Sequence, residues 1–217
     1  MSFLGRIFKK NIITKPQGKS VCIFCSGDDK APEEYKQTAF LLGQELARHG
    51  FILITGGGNN GLMNYVNNGH AEISDDVNRF GVIPNIMKHL NVHHPFIAKN
   101  NLIWAKDVHS RIKTFYKLCD DIVVLPGGFG TLHELMDCLV LSQFGVIKKF
   151  IYLINIDNFW DPLLNQFKQM VSKQLLQQKH LDHLHIVTSI AELISQLNSE
   201  RQFNLAQGFG DGHWKQK

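Results

Sequence analysis

The sequence predicts an α/β domain of the Rossmann-like, doubly wound kind, a parallel sheet with helices on both faces, in one domain. Three observations lead there. Short, solid apolar runs such as Val21 to Cys25, Phe51 to Thr55, Ile122 to Leu125 and Phe150 to Ile154 lack polar alternation, as strands buried on both faces do. Between them lie segments whose apolar residues recur at helical spacing, and strict strand–helix alternation requires right-handed crossovers and a parallel sheet. Finally, two of the runs pass directly into glycine-rich turns, Pro126-Gly127-Gly128-Phe129-Gly130, the first glycine loop, and Gly56-Gly57-Gly58-Asn59-Asn60-Gly61, the second.

Taken in order, the first strand, Val21 to Cys25, ends in the turn Ser26-Gly27-Asp28-Asp29. A helix follows from about Pro32 and Glu33, with Tyr35, Ala39, Leu42 and Leu46 on one face and Gly50 as its C′ stop. The second strand runs through its glycine loop into Leu62 to Val66. Phe80 to Ile83, closed by Pro84, reads as a third strand, and Asn85 to Asn101 as an irregular stretch overhanging the sheet edge. Leu102 to Ala105 reads as a short strand and Val108 to Cys119 as a helix burying Ile112, Phe115 and Tyr116. After Ile122 to Leu125, Thr131 opens a helix with Leu132, Leu135, Met136 and Leu139 on one face, reaching about Gly145. Strand Phe150 to Ile154, helix Phe159 to Gln177, strand His185 to Thr188 and helix Ala191 to Leu197 complete the pattern. Residues 18–200 form the domain, 1–17 read as a short leader, and the polar, Gly- and Gln-containing segment 201–217 as a frayed tail.

Length and composition suit an ordinary globular chain: 217 residues, 44% hydrophobic and 19% charged. The net charge of +4 and pI near 8.8 come partly from terminal lysines such as Lys9, Lys10, Lys215 and Lys217, so no nucleic-acid surface is expected. No apolar run approaches the roughly 20 residues of a membrane span. Cys22, Cys25, Cys119 and Cys138 form no disulfide framework, which points to a reducing, cytoplasmic compartment. His89, His93 and His94 have no carboxylate or cysteine at ligand spacing, so no metal is expected.

In open parallel sheets ligands bind beyond the C-terminal strand ends. Ser26 and Gly27, Gly57 and Gly58, and Gly127, Gly128, Gly130 and Thr131 all fall there. The glycines are expected to make a positive-φ turn that leaves amide N–H groups open, and the helix after it offers the positive end of its dipole to a phosphate. Neither loop has the Lys-Ser/Thr of a phosphate-transferring P-loop. Neither is a dinucleotide fingerprint after the first strand, and no cofactor is expected. Thr131-x-x-Glu134 has capping-box spacing, so the residues alone favour Glu134 as a cap over a carboxylate that reaches the ligand.

Pro126-Gly127-Gly128-Phe129-Gly130-Thr131-Leu132-His133-Glu134 resembles the PGGxGTxxE motif of the Lonely Guy family, nucleoside 5′-monophosphate phosphoribohydrolases often mislabelled lysine decarboxylases. Gly56 to Met63 is similar to that family's GGGxxGLM, Gly81-Val82-Ile83-Pro84 to its GVIP and Gln143-Phe144-Gly145 to its QLG, and the resemblance covers about residues 20 to 197. It implies hydrolysis of an N-glycosidic bond to a free base and ribose 5-phosphate, in a homodimer. AMP or a cytokinin riboside monophosphate would be the substrate, Arg111 and Glu134 the catalytic pair. A phosphate-ligand carrier on the same fold is the alternative. The chain departs from the family at Ile112, His93, His133 and Val140-Leu141, where the resemblance has a lysine, a glutamate, a glutamate and Thr-Trp. Lysine decarboxylation would need a Schiff-base lysine that these motifs do not supply.

Overall fold

A computed structural model describes residues 15–90 and 92–199, so most of the expected leader and the expected tail lie outside the described residues. The strands are β1 (Ser20–Phe24), β2 (Ile52–Thr55), β3 (Arg79–Pro84), β4 (Leu102–Ala105), β5 (Asp121–Val124), β6 (Ile151–Ile154) and β7 (Leu184–Val187). The α-helices are α1 (Glu33–Arg48), α2 (Gly61–Ala71), α3 (Val108–Leu118), α4 (Phe129–Gln143), α5 (Asp161–Ser172) and α6 (Ile190–Asn198). All strand pairs are parallel, in the order β4-β3-β2-β1-β5-β6-β7. The order reverses at β1, between β2 and β5, and that switch point is where such sheets hold ligands.

Strands β1, β2, β5 and β6 feed two cores because successive side chains point to opposite faces. Val21, Ile23, Leu53, Val123 and Tyr152 pack with Leu42 and Leu46 of α1, Leu62 and Val66 of α2, and Leu193 and Leu197 of α6. Cys22, Phe24, Ile54, Ile122 and Val124 pack with Phe115 and Leu118 of α3, Leu135 and Cys138 of α4, and Trp160 ahead of α5. Each fully buried Leu, Ile, Val or Phe contributes about 1.5–3 kcal/mol of transfer free energy. The doubly covered sheet therefore explains the solid apolar runs. Among the described residues no helix is long and apolar enough to cross a membrane.

Two elements differ from the sequence reading. The helix expected over Phe159 to Gln177 is shorter: Pro162 sets its start, and past Ser172 the chain turns through Gln174 at φ 60°. The stretch between β3 and β4 does not hang free. It contains two 3₁₀ turns, Asn85–Leu90 and Lys99–Asn101, and is stitched to the second glycine loop. His94 N donates to Gly57 O at 2.8 Å, and Asn59 N donates to Val92 O at 3.0 Å.

A buried histidine anchors that stitch. His94 is fully buried; its Nδ1 accepts from the Phe96 N–H at 3.2 Å, so the ring proton sits on Nε2 and is donated to Asn64 Oδ1 at 3.1 Å. Nearby, the buried Arg79 donates to Phe96 O and Ser74 O, and His70 pairs with Phe51 O. Burial, reinforced by Arg79, pushes both His70 and His94 down to about 4. Both rings are neutral members of this scaffold.

Candidate active site

A cavity of about 380 Å³ opens at the switch point beyond β1, β2 and β5. Of the residues singled out in the sequence, Ser26, Gly27, Gly128, Gly130, Thr131, Arg111 and Glu134 line it. Gly57, Gly58 and Gly127 do not. Gly57 and Gly58 lie behind the wall with their amides engaged, Gly57 N to Thr55 Oγ1 at 3.1 Å and Gly58 N to Met63 Sδ at 3.2 Å. Gly127 supports the loop from below. The cavity also takes Cys25, Asp28, Gly56, Met63 and Met87. Gly56 and Met63 were within reach of sequence reasoning as members of the second glycine motif, whereas Met87 arrives only because its loop is stitched down.

The first glycine loop works by space rather than by handedness. The expected positive-φ turn is absent at Gly127, Gly128 and Gly130; positive φ occurs instead in the second loop, at Gly57 and Gly61. At Gly127 an added Cβ would fall 2.1 Å from Thr131 Oγ1 and 3.0 Å from Ser26 N, so the loop closes only over a hydrogen. At Gly128 and Gly130 an added Cβ would meet open space. Helix α4 starts at Phe129, earlier than expected, and Thr131 lies inside its first turn. Its N-cap Gly128 offers no side chain, and the early amides find no acceptor outside the helix among the described residues. An uncapped helix start facing a cavity is an anion receptor.

Glu134 does not cap that helix. Its carboxylate Oε1 accepts from Arg111 Nη1 at 2.8 Å, across from α3. Arg111 is positioned from three sides. Its Nε donates to Val82 O of β3 at 2.8 Å, its guanidinium lies 4.8 Å from the Phe115 ring, and its Nη2 occupies the space that a side chain at position 56 would fill. The start of α3 is fixed by a reciprocal capping box between Asp107 and Ser110, directly ahead of Arg111. Ile112, the next residue, is buried and does not line the cavity.

Burial pushes Glu134 up to about 7, and the Arg111 charge and hydrogen bond only partly offset it. Glu134 is 7% exposed, so desolvation dominates. Burial likewise pushes the Cys25 thiol up, leaving it a neutral wall residue rather than a nucleophile. Among the described residues no group of three or more His, Cys, Asp or Glu is placed to hold a metal ion.

Fold and site define a doubly wound α/β protein with an uncapped helix start facing a cavity beside an ion pair between the half-buried Arg111 and the buried Glu134. The sequence model of the family described as "Possible lysine decarboxylase" matches residues 63–197. Cytokinin riboside 5′-monophosphate phosphoribohydrolase LOG of Oryza sativa subsp. japonica is 31% identical over 74% of this chain, which spans 64% of the rice protein. Probable cytokinin riboside 5′-monophosphate phosphoribohydrolase LOG6 of Arabidopsis thaliana is 32% identical over 71% of this chain and 77% of its own length. The chain belongs to this family, the Lonely Guy family. The solved structure of the Moco carrier protein from Chlamydomonas reinhardtii shares the fold, at 19% identity and a TM-score of 0.58 over 83% of this chain and 98% of that one.

Proposed function

We propose that the protein hydrolyses the N-glycosidic bond of a nucleoside 5′-monophosphate, AMP or a cytokinin riboside monophosphate, to a free base and ribose 5-phosphate. The observation that carries this reading is the 2.8 Å Arg111–Glu134 pair standing one helical turn beyond the open α4 start. The amides of Gly128 to Thr131 and the Thr131 hydroxyl receive the phosphate, with Ser26 and Gly27 closing the cradle. The sugar then reaches toward Glu134. As the C1′–N bond breaks, positive charge grows on the ribose ring, and the Glu134 carboxylate stabilises it and orients a water. The water oxygen bonds to C1′ and keeps one of its two protons as the new hydroxyl while the other is lost to solvent or carboxylate, and the base leaves with the bonding pair and takes up a proton. Arg111 fixes the carboxylate and holds a phosphate oxygen or ribose hydroxyl.

Family membership and the names of the relatives support the reaction class, and the geometry supports the roles. On the same basis we place the protein in the cytoplasm, consistent with its free cysteines, and assign it a homodimeric state. Phe129, 92% exposed at the start of α4, and the exposed Val140 and Val146 offer an apolar surface for the second copy.

The test is incubation of the purified chain with a panel of nucleoside monophosphates while free base and ribose 5-phosphate are followed. Turnover of at least one is expected. Binding of a monophosphate without turnover of any would replace the hydrolase by a nucleotide carrier on the same fold.

A further inference from the structure

We infer that a second cavity, at the end of the sheet opposite the candidate active site, binds a small organic carboxylate with an apolar ring, anchored on Arg79 between Phe40 and Phe96. It stands apart from the hydrolase reading.

The cavity measures about 460 Å³ and is lined by Phe40 of α1, Asn68 and Ala71 of α2, Glu72 at the α2 C-cap, Arg79 and Phe96. It shares no lining residue with the cavity around Glu134. Arg79 is the first residue of β3, so it sits at the N-terminal end of its strand, whereas the other cavity lies beyond the C-terminal ends.

The charge of Arg79 singles this cavity out. The residue is only 3% exposed. Its Nε donates to Phe96 O at 2.9 Å and its Nη1 to Ser74 O at 2.7 Å, with His70 Nδ1 3.4 Å from Nη1. His70 Nε2 lies 2.9 Å from Phe51 O, so the ring proton is there and Nδ1 is a neutral acceptor. All three partners are therefore uncharged. Among the described residues Nη2 donates to no acceptor, and no carboxylate forms an ion pair with Arg79. Burial pulls the guanidinium below its ordinary value, and the more distant Asp76 and Asp75 do not restore it. A buried charge without a counter-ion is costly. Tying carbonyls together does not require one: the neutral Asn101 Nδ2 gathers the Asp76, Val77 and Arg79 carbonyls at 3.2, 3.2 and 3.0 Å. An anion entering from solution supplies the missing partner.

The neighbours select the anion. Phe40 and Phe96 offer ring faces and edges to an apolar body. Nη2 carries two N–H donors, enough for one carboxylate. Glu72, held by Gln44 Nε2 at 2.7 Å, lines the same space, and Asp75 and Asp76 act on Arg79 from nearby. A second negative charge on the ligand is therefore repelled. A carboxylate brings one charge, whereas a phosphate monoester brings nearly two at neutral pH.

The experiment is calorimetric titration of the full chain at neutral pH with hydrocinnamate and its uncharged amide, for the wild type, Arg79→Met and Phe96→Ala. The wild type is expected to bind hydrocinnamate with a Kd of about 1 mM or tighter, and the amide at least about tenfold more weakly. Phenyl phosphate at equal concentration should leave hydrocinnamate in place. Arg79→Met should weaken hydrocinnamate at least about tenfold and Phe96→Ala at least about threefold. Phe96 is 50% exposed, so its truncation leaves the fold intact and keeps the test open if Arg79→Met does not fold. No binding by the wild type, or equal binding of acid and amide, overturns the inference. So does binding that survives the variants, which puts the carboxylate elsewhere, and so does full displacement by phenyl phosphate.

Discussion

Arg111 and Glu134 lie 23 residues apart on different helices, yet their side chains meet at 2.8 Å, and the arginine simultaneously donates to Val82 O of β3. The pair therefore joins α3, α4 and the sheet at one point on the cavity wall. Removing either partner leaves the other desolvated and unmatched.

Glu134→Gln tests the carboxylate directly, since it retains shape and removes charge. We expect kcat to fall by about 100-fold or more while the Kd for AMP stays within about threefold. Retained turnover, measured as released base, would assign the side chain a structural role only.

Arg111→Ala should act on both fold and titration. With its cation gone, Glu134 has only desolvation acting on it and moves above its value of about 7. The acid limb of the kcat/KM profile, expected near pH 7 in the wild type, should move to higher pH in this variant. A limb near the ordinary carboxylate value of about 4.3 in the wild type would separate Glu134 from the chemistry.

The glycines of the first loop should divide into two kinds. Gly127→Ala forces a Cβ against Thr131 and should cost about 1–3 kcal/mol of stability. At Gly128 and Gly130, alanine meets nothing in the protein, so denaturation midpoints should stay nearly unchanged while phosphate-ester binding weakens. Urea denaturation combined with AMP titration distinguishes the two outcomes.

Stability should rise as pH increases from about 4 to 6.5. His70 and His94 have folded values near 4, below the unfolded value of 6.5, so across that interval the unfolded chain binds more protons. Each contributes up to about 3 kcal/mol above pH 6.5, lost as pH falls toward 4. Glu134 acts oppositely: its folded value near 7 exceeds the ordinary value of 4.5, so it favours the folded state at low pH and that gain disappears as pH rises through 7. Two histidines outweigh one glutamate over the shared interval. Urea titrations at several pH values should give the rising curve, and His94→Asn should flatten it.

The buried strands were legible in the sequence because a parallel sheet covered on both faces demands solid apolar runs, and Ile122 to Val124 are all fully buried. The uncapped helix start proposed to hold the phosphate was legible for a similar local reason: strand, glycines and helix start are contiguous. Glu134 was ambiguous because one spacing serves both a cap and a site, and the decision lies with Arg111 on another helix. The hydrogen bond from Gly61 N to Asp29 Oδ1 bridges 32 residues, and Met87 is placed by hydrogen bonds between two loops; no periodicity encodes either. Gly127, Gly128 and Gly130 were legible only as a need for room, since none has positive φ, whereas Gly57 and Gly61 do take the left-handed region.

The uncapped start of α4 also matters for how the protein is handled. On the proposed reading, a cradle of amides does not distinguish a nucleotide's phosphate from inorganic phosphate or sulfate, both of which are present in many buffers at millimolar levels. In such solutions these ions compete with substrate, so apparent affinities weaken with buffer concentration while kcat is unchanged.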